Sequence, residues 1–191
     1  MVLRMNYYQT IIINHDEIEN VDNLITELKD DGILWILSDD LYKSNETVPK
    51  TFELIAKLTE KGLKLKNVVL WINRFGEMGS PVINIYKNIL FFVKSENYYF
   101  NKDPIREKHI WKNVDWGKRP ENYNPKGKDP SNVWILTKDD NNGKIIKYKP
   151  LTLDDIVKRC ILCASKTDDK ILLKVNTISK LTELNRGVEY G

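Results

Sequence analysis

Short runs of β-branched and large apolar residues alternate along this chain with segments whose apolar positions recur at helical spacing. Gln9-Thr-Ile-Ile-Ile-Asn14 is apolar and bounded by polar residues, which predicts a buried strand. Ile18, Val21, Leu24, Ile25 and Leu28 then fall at helical spacing and predict a helix over 18–30, closed near Asp31-Gly32 with the glycine as C-cap. Ile33-Leu-Trp-Ile-Leu37 predicts a second buried strand, with Ser38-Asp-Asp40 at its carboxyl end. A helix over 49–61 is expected to bury Phe52, Ile55, Ala56 and Leu58 and to end at Gly62. Asn67-Val-Val-Leu-Trp-Ile72 and Asn88-Ile-Leu-Phe-Phe-Val93 predict further strands. A helix over 152–164, a strand over 170–175 and a helix over 177–185 complete the pattern. Strands alternating with helices imply an α/β fold with a mostly parallel sheet covered on both faces.

Between 101 and 150 the periodicity fades, five of the seven prolines occur, and lysines are frequent. A connection of that length is functional or mobile rather than a simple link. Net charge sharpens this. Residues 1–60 carry five Lys and Arg against twelve Asp and Glu, whereas 61–150 carry eighteen against nine. A polyanion partner would therefore meet the middle of the chain. Between 94 and 128, nine basic side chains are interleaved with Tyr98, Tyr99, Phe100, Trp111, Trp116 and Tyr123. Basic groups neutralise phosphates and aromatics stack on exposed bases, so this segment is the candidate nucleic-acid contact. Its members are Arg106, Lys112, Lys118, Arg119, Lys126 and Lys128, joined by Arg74 in a glycine-flanked loop at a strand end. Tyr98 to Phe100 and Trp134 are expected to pack beneath the loop and anchor it, and His109 to lie at the surface.

The other chemistry-bearing groups are few. Cys160 and Cys163 share the apolar face of the 152–164 helix with Ile156, so they read as core residues; only His15 and His109 are available to complete a zinc site, and no metal is expected. No apolar run is long enough to span a bilayer and the start lacks a signal-peptide layout. The expectation is an intracellular protein without membrane contact, built as a single domain over 1–191 with a loop-rich basic insertion at about 95–150.

Several stretches resemble the amino-group DNA methyltransferases, which methylate N6 of adenine or N4 of cytosine. They are Trp35 to Asp40, Trp71-Ile-Asn-Arg-Phe-Gly-Glu-Met-Gly-Ser80, Asn88 to Lys94, Tyr98 to Arg106, Tyr123-Asn-Pro-Lys-Gly-Lys-Asp-Pro-Ser-Asn-Val-Trp134 and Lys147-Tyr-Lys-Pro-Leu151. Their order resembles the circularly permuted type, in which the catalytic half precedes the half that binds the methyl donor. The resemblance implies a Rossmann-like methyltransferase sheet, reduced at its C-terminal end, and S-adenosylmethionine as the family's cofactor.

The departures fall where the family's chemistry lies. After the first strand the family places Asp-Pro-Pro-Tyr or a variant, whose first residue and a backbone carbonyl accept the target amino hydrogens while the aromatic stacks on the flipped base. This chain has Asn14, His15, Asp16 and Glu17. After the late strand the family places Asp-Pro-Phe and a glycine-rich turn; here stand Lys174, Val175, Asn176 and Thr177. The element at Lys147 lacks the usual His-Pro-Thr start, and Glu189 is the relic of the acid that holds the donor's ribose. The expectation is a catalytically silent, methyltransferase-like subunit that binds DNA, holds no cofactor, and pairs with an active methyltransferase or with itself. Two alternatives stay open. One is an active enzyme in which Asn14, Asp16 and Asp39 receive the amino protons and S-adenosylmethionine is bound; the other is an assembly module without nucleic-acid contact.

Overall fold

The computed structural model describes residues 6–43, 46–72, 85–109, 124–139, 146–175, 181 and 184–191. In chain order the strands and helices are β1 (Tyr8–Asn14), α1 (Val21–Glu27), β2 (Leu28–Ser38), β3 (Leu41–Lys43), β4 (Glu46–Val48), α2 (Lys50–Glu60), β5 (Lys64–Ile72) and β6 (Tyr86–Val93). There follow β7 (Val133–Trp134), β8 (Leu136–Asp139), β9 (Ile146–Lys149), α3 (Leu153–Ala164), β10 (Lys170–Lys174) and β11 (Gly187–Tyr190). Among the described residues they build a seven-stranded sheet in the order β11-β10-β1-β2-β6-β5-β7, with β3-β4 and β8-β9 as separate antiparallel pairs.

The sheet is mixed and mostly parallel. Only β6 runs against its neighbours β2 and β5. One face, with Ile12, Trp35 and Phe91, packs on Ile156, Val157, Cys160 and Ile161 of α3. The opposite face, with Ile11, Leu34 and Phe92, packs on Val21 and Leu24 of α1 and Leu58 of α2. Helices thus cover both faces, as the pattern predicts. At the C-terminal end of the sheet one strand, β11, lies beyond β10 and runs parallel to it.

Three expectations are corrected. The helix predicted over 18–30 occupies only Val21–Glu27, capped by Asn20, whose side chain accepts from the Asp22 and Asn23 amides. Leu28 is already in β2 and pairs with Tyr8; β2 then advances five residues to Ile33 while β1 advances two to Thr10. Gly32 lies inside this bulge and not at a helix end. A Cβ there would sit 2.9 Å from the Gln9 carbonyl oxygen and 3.0 Å from that of Lys29, so the bulge needs a residue without one. Helix α2 is rotated from expectation: Thr51 and Leu58 are buried, while Phe52 is 69% exposed. Within the loop-rich 101–150 region lie the short strands β7, β8 and β9. The helix expected over 177–185 lies mostly outside the described residues.

Gly62 does close α2, at φ +90°. The Leu63 amide donates to the Leu58 carbonyl and the Gly62 amide to that of Thr59, the paired bonds of a Schellman ending. Cys160 and Cys163 are fully buried, and burial pushes both thiols above their ordinary value. A thiol-specific reagent is therefore expected to modify neither cysteine in the native protein and two per chain in denaturant. Rapid modification without denaturant would contradict the packing of α3.

Candidate active-site cleft and the basic loop

The carboxyl ends of β1, β2 and β5 lie at one end of the sheet, and antiparallel β6 brings its first residues there. Ligands of open α/β sheets bind at this end. A pocket of about 280 Å³ opens here, lined by Asn14, His15, Asp39, Trp71, Lys87 and Leu153 among others. Immediately after β1 the chain winds into a single 3-10 turn over His15–Glu17, in which the Ile18 amide donates to the His15 carbonyl at 3.3 Å.

His15 is 12% exposed and sits between two acids. Its Nδ1 is 3.8 Å from Asp39 Oδ1 and its Nε2 is 2.9 Å from Asp16 Oδ1, the latter outside hydrogen-bond geometry. Asp39 is held by Lys87 Nζ at 2.6 Å. Beneath the pocket, Ser38 and Thr51 hydroxyls lie 3.0 Å apart and Asn88 Nδ2 donates to Thr51 Oγ1 at 3.2 Å. Asp40 Oδ1 accepts the Thr51 amide at 2.9 Å. This buried polar group is what rotates α2: with Thr51 drawn inward, Leu54, Ile55 and Leu58 follow it onto the core and Phe52 turns to solvent.

The cofactor-side residues begin on the adjacent strand, where Lys174 pairs with Ile13 of β1. Lys174 ends β10, and Val175 follows it, partly buried. Asn176 and Thr177 lie outside the described residues. Lys174 lays its aliphatic stem against Gly191, where an added Cβ would meet Lys174 Cε at 2.9 Å. Glu189 is in β11, opposite Leu172, and accepts hydrogen bonds from the Tyr8 hydroxyl at 2.9 Å and the Tyr7 hydroxyl at 3.4 Å.

Arg74, Lys112, Lys118 and Arg119 lie outside the described residues. The other members of the basic set form a clasp. Arg106, 6% exposed, donates from Nε to Asp103 at 2.8 Å and from Nη1 to the Gly127 carbonyl at 3.1 Å, and also pairs with Asp129. Lys126 pairs with Asp103 and Lys102 with Asp129, each at 2.5 Å. The backbones of Glu107 and Lys128 exchange hydrogen bonds. Arg159 of α3 reaches Glu107 at 3.0 Å and lies over the Trp134 ring. Arg106, placed by its residue type on the nucleic-acid contact, is thus an internal cross-link whose donors are turned from solvent. Trp134 is buried and donates to the Ser131 carbonyl, anchoring the loop as expected.

Arg106 and then Lys126 hold the Asp103 carboxyl below its ordinary value; Lys102 and then Arg106 do so for Asp129. Both acids bind protons less readily in the folded chain than in the unfolded one. Their stabilisation is therefore complete above the unfolded value of about 4 and is lost as pH falls through the lower folded values. The melting temperature is expected to drop in that acid range, and Asp103→Asn with Asp129→Asn to flatten the drop. An unchanged acid profile in the double variant would remove the clasp as its source.

The N6/N4 methyltransferase family model, described as DNA methylase, matches residues 6–172. This chain belongs to that DNA methylase family. The type II methyltransferase M1.MboII of Moraxella bovis is 31% identical over 177 residues, covering 80% of this chain and 62% of the relative. M.BglII of Bacillus subtilis is 24% identical over 152 residues, covering 76% and 42%. The chain thus spans less than two thirds of either relative. Among solved structures, the PvuII cytosine-N4-specific DNA methyltransferase superposes with TM-score 0.59 at 14% identity, over 90% of this chain and 68% of that one. The M1.HpyAVI–SAM complex does so with 0.52 at 12%, over 96% and 81%. These likenesses establish the methyltransferase fold. Among the described residues no three or more His, Cys, Asp or Glu gather as a metal site, and no helix is long and apolar enough to cross a membrane.

Proposed function

We propose that this DNA methylase-family chain is a catalytically silent subunit that binds DNA and works beside an active methyltransferase or a second copy of itself. The reading takes the chain as one methyltransferase-like domain with a basic insertion at about 95–150. The observation that carries it is the end of β1. Where the family holds a proline-fixed backbone and a stacking aromatic, His15–Glu17 curl into a 3-10 turn and the His15 carbonyl accepts the Ile18 amide. A carbonyl engaged in its own turn, with no proline to fix its direction, is not preorganised to receive an amino hydrogen. The donor side agrees. The stem of Lys174 lies at the strand end that a methionine moiety would approach, and Glu189 is tied to tyrosine hydroxyls. These residues do not fit S-adenosylmethionine.

A second reading, an active enzyme with a divergent site, draws on the pocket at the strand ends. Asn14, Asp16 and Asp39 lie around His15 there and could receive protons. Calorimetric titration with S-adenosylmethionine, with and without duplex DNA, separates the two. No heat in either condition, together with no transfer of labelled methyl to DNA, is the expected result. Saturable one-site binding with methyl transfer would establish the second reading instead.

A further inference from the structure

We propose a nucleobase-binding pocket on the α3 face of the sheet, separate from the cleft at the strand ends. It has a volume of about 450 Å³ and lies over the middle of β2 and β6 and the start of β5, between the 98–105 and 129–134 segments. The two pockets share no lining residue, and Val69 on its wall and Trp71 in the cleft are two residues apart on β5, about 7 Å along the strand.

Three rings form one wall. Trp35 stacks on Phe91 at 4.5 Å and Phe91 on Phe100 at 5.4 Å, each pair inclined by 29°. Trp134 closes one side, tilted 6.1 Å from Trp35. Phe100, 38% exposed, is the outermost ring.

The second observation is a hydrogen-bond donor without a partner. Trp71 and Trp134 donate their indole N–H groups to the Leu151 and Ser131 carbonyls. Trp35 is 1% exposed, lines this pocket, and its Nε1 has no acceptor. Buried indole nitrogens are normally paired, so the unpaired Nε1 of this lining residue favours a ligand that brings an acceptor.

The rim defines the ligand further. The residues Asn67 and Asn132 bring side chains able both to donate and to accept. Lys66 and Lys102 stand at the mouth, paired with Glu96 at 2.6 Å and Asp129 at 2.5 Å. An ammonium has three hydrogens, so each retains donors for an anion. A flat, acceptor-edged ring between aromatic walls with an anion at the mouth describes a nucleotide, base inward and phosphate outward. The nucleotide comes either free or as an unstacked residue of a strand. The proposal does not depend on whether the chain transfers methyl groups.

The test follows the indole N–H resonances of 15N-labelled protein, with that of Trp35 assigned by Trp35→Phe. The probes are dAMP, dCMP, a single-stranded oligonucleotide and deoxyribose 5-phosphate. The expected result is a saturable downfield shift of the Trp35 resonance with a nucleotide and none with the sugar phosphate. A shift with the monophosphates identifies the free form, and a shift with the oligonucleotide alone identifies the strand; either supports the site. Phe100→Ala changes only the exposed ring and should weaken binding about tenfold, the loss of one stacking contact. No shift with any probe, an equal response to the sugar phosphate, or unchanged affinity in Phe100→Ala overturns the proposal. Because S-adenosylmethionine carries an adenine, its titration is repeated with Phe100→Ala: heat lost in that variant belongs to this pocket, and heat retained belongs to the methyl-donor site.

Discussion

Reversing Lys112, Lys118 and Arg119 to glutamate is expected to weaken duplex DNA binding by two orders of magnitude or more at 0.1 M salt. These three are chosen because the neighbouring cations are already engaged. Arg106, Lys102 and Lys126 hold Asp103 and Asp129, so reversing Lys126 would open the clasp and confuse contact with folding. Each phosphate contact contributes about 0.9 to the slope of log affinity against log salt. Three contacts therefore amount to about 500-fold between 0.1 M and 1 M salt. The affinity gap should close as salt rises, and the slope should fall by about three. Fluorescence anisotropy of a labelled duplex across a salt series measures both quantities. Equal non-zero slopes would remove these three residues from the contact, and no salt-dependent binding by the unaltered chain would leave the assembly reading, in which this chain meets its partner and not DNA.

Phe92→Ala should give the largest loss of stability, about 3–5 kcal/mol. Phe92 is completely buried on β6, opposite Leu34 of β2 and Leu65 of β5. Its ring fills the layer beneath α2 with Leu58, Leu63 and Leu90. Removing it leaves a cavity where two strand pairings meet, and backbone pairing on both sides limits collapse. A domain of ordinary stability has only about 5–15 kcal/mol in total. Urea denaturation should show a much lower midpoint with an unchanged slope. A loss below about 1 kcal/mol, the scale of a tolerated volume-conserving swap, would mean that this face is not closely packed.

The strands were legible because burial on both sides of a parallel sheet demands continuous β-branched and aromatic runs, and Ile11 to Ile13 and Ile89 to Val93 are such runs. Their direction was not, since nothing in Asn88 to Val93 says that β6 runs against β2. Leu28 was misread because an i+4 apolar position serves a helix and the first residue of a strand equally well. Gly32 looked like a helix stop, but a Cβ there would meet the carbonyl of Gln9 on another strand as well as that of Lys29, and no local pattern records the first contact. The rotation of α2 turned on Thr51, whose value as a buried hydroxyl depends on Ser38 and Asn88. In the cleft, Asn14 to Asp16 and Asp39 were nameable from the sequence, whereas Lys87 enters only because β6 is antiparallel. Arg106 was visible as a charge, but its commitment to Asp103 and Asp129 needed the loop to close.

The placement of β1 has a consequence for synthesis on the ribosome. One edge of β1 is covered by β2 soon after it emerges; the other waits for β10, which begins at Lys170. At translation rates of about 5–20 residues per second, the Ile11-Ile-Ile13 edge stays open for on the order of ten to thirty seconds. An uncovered edge of that composition invites pairing with another nascent chain. Chaperone occupancy and codon speed between β2 and β10 should therefore bear on the yield of this protein.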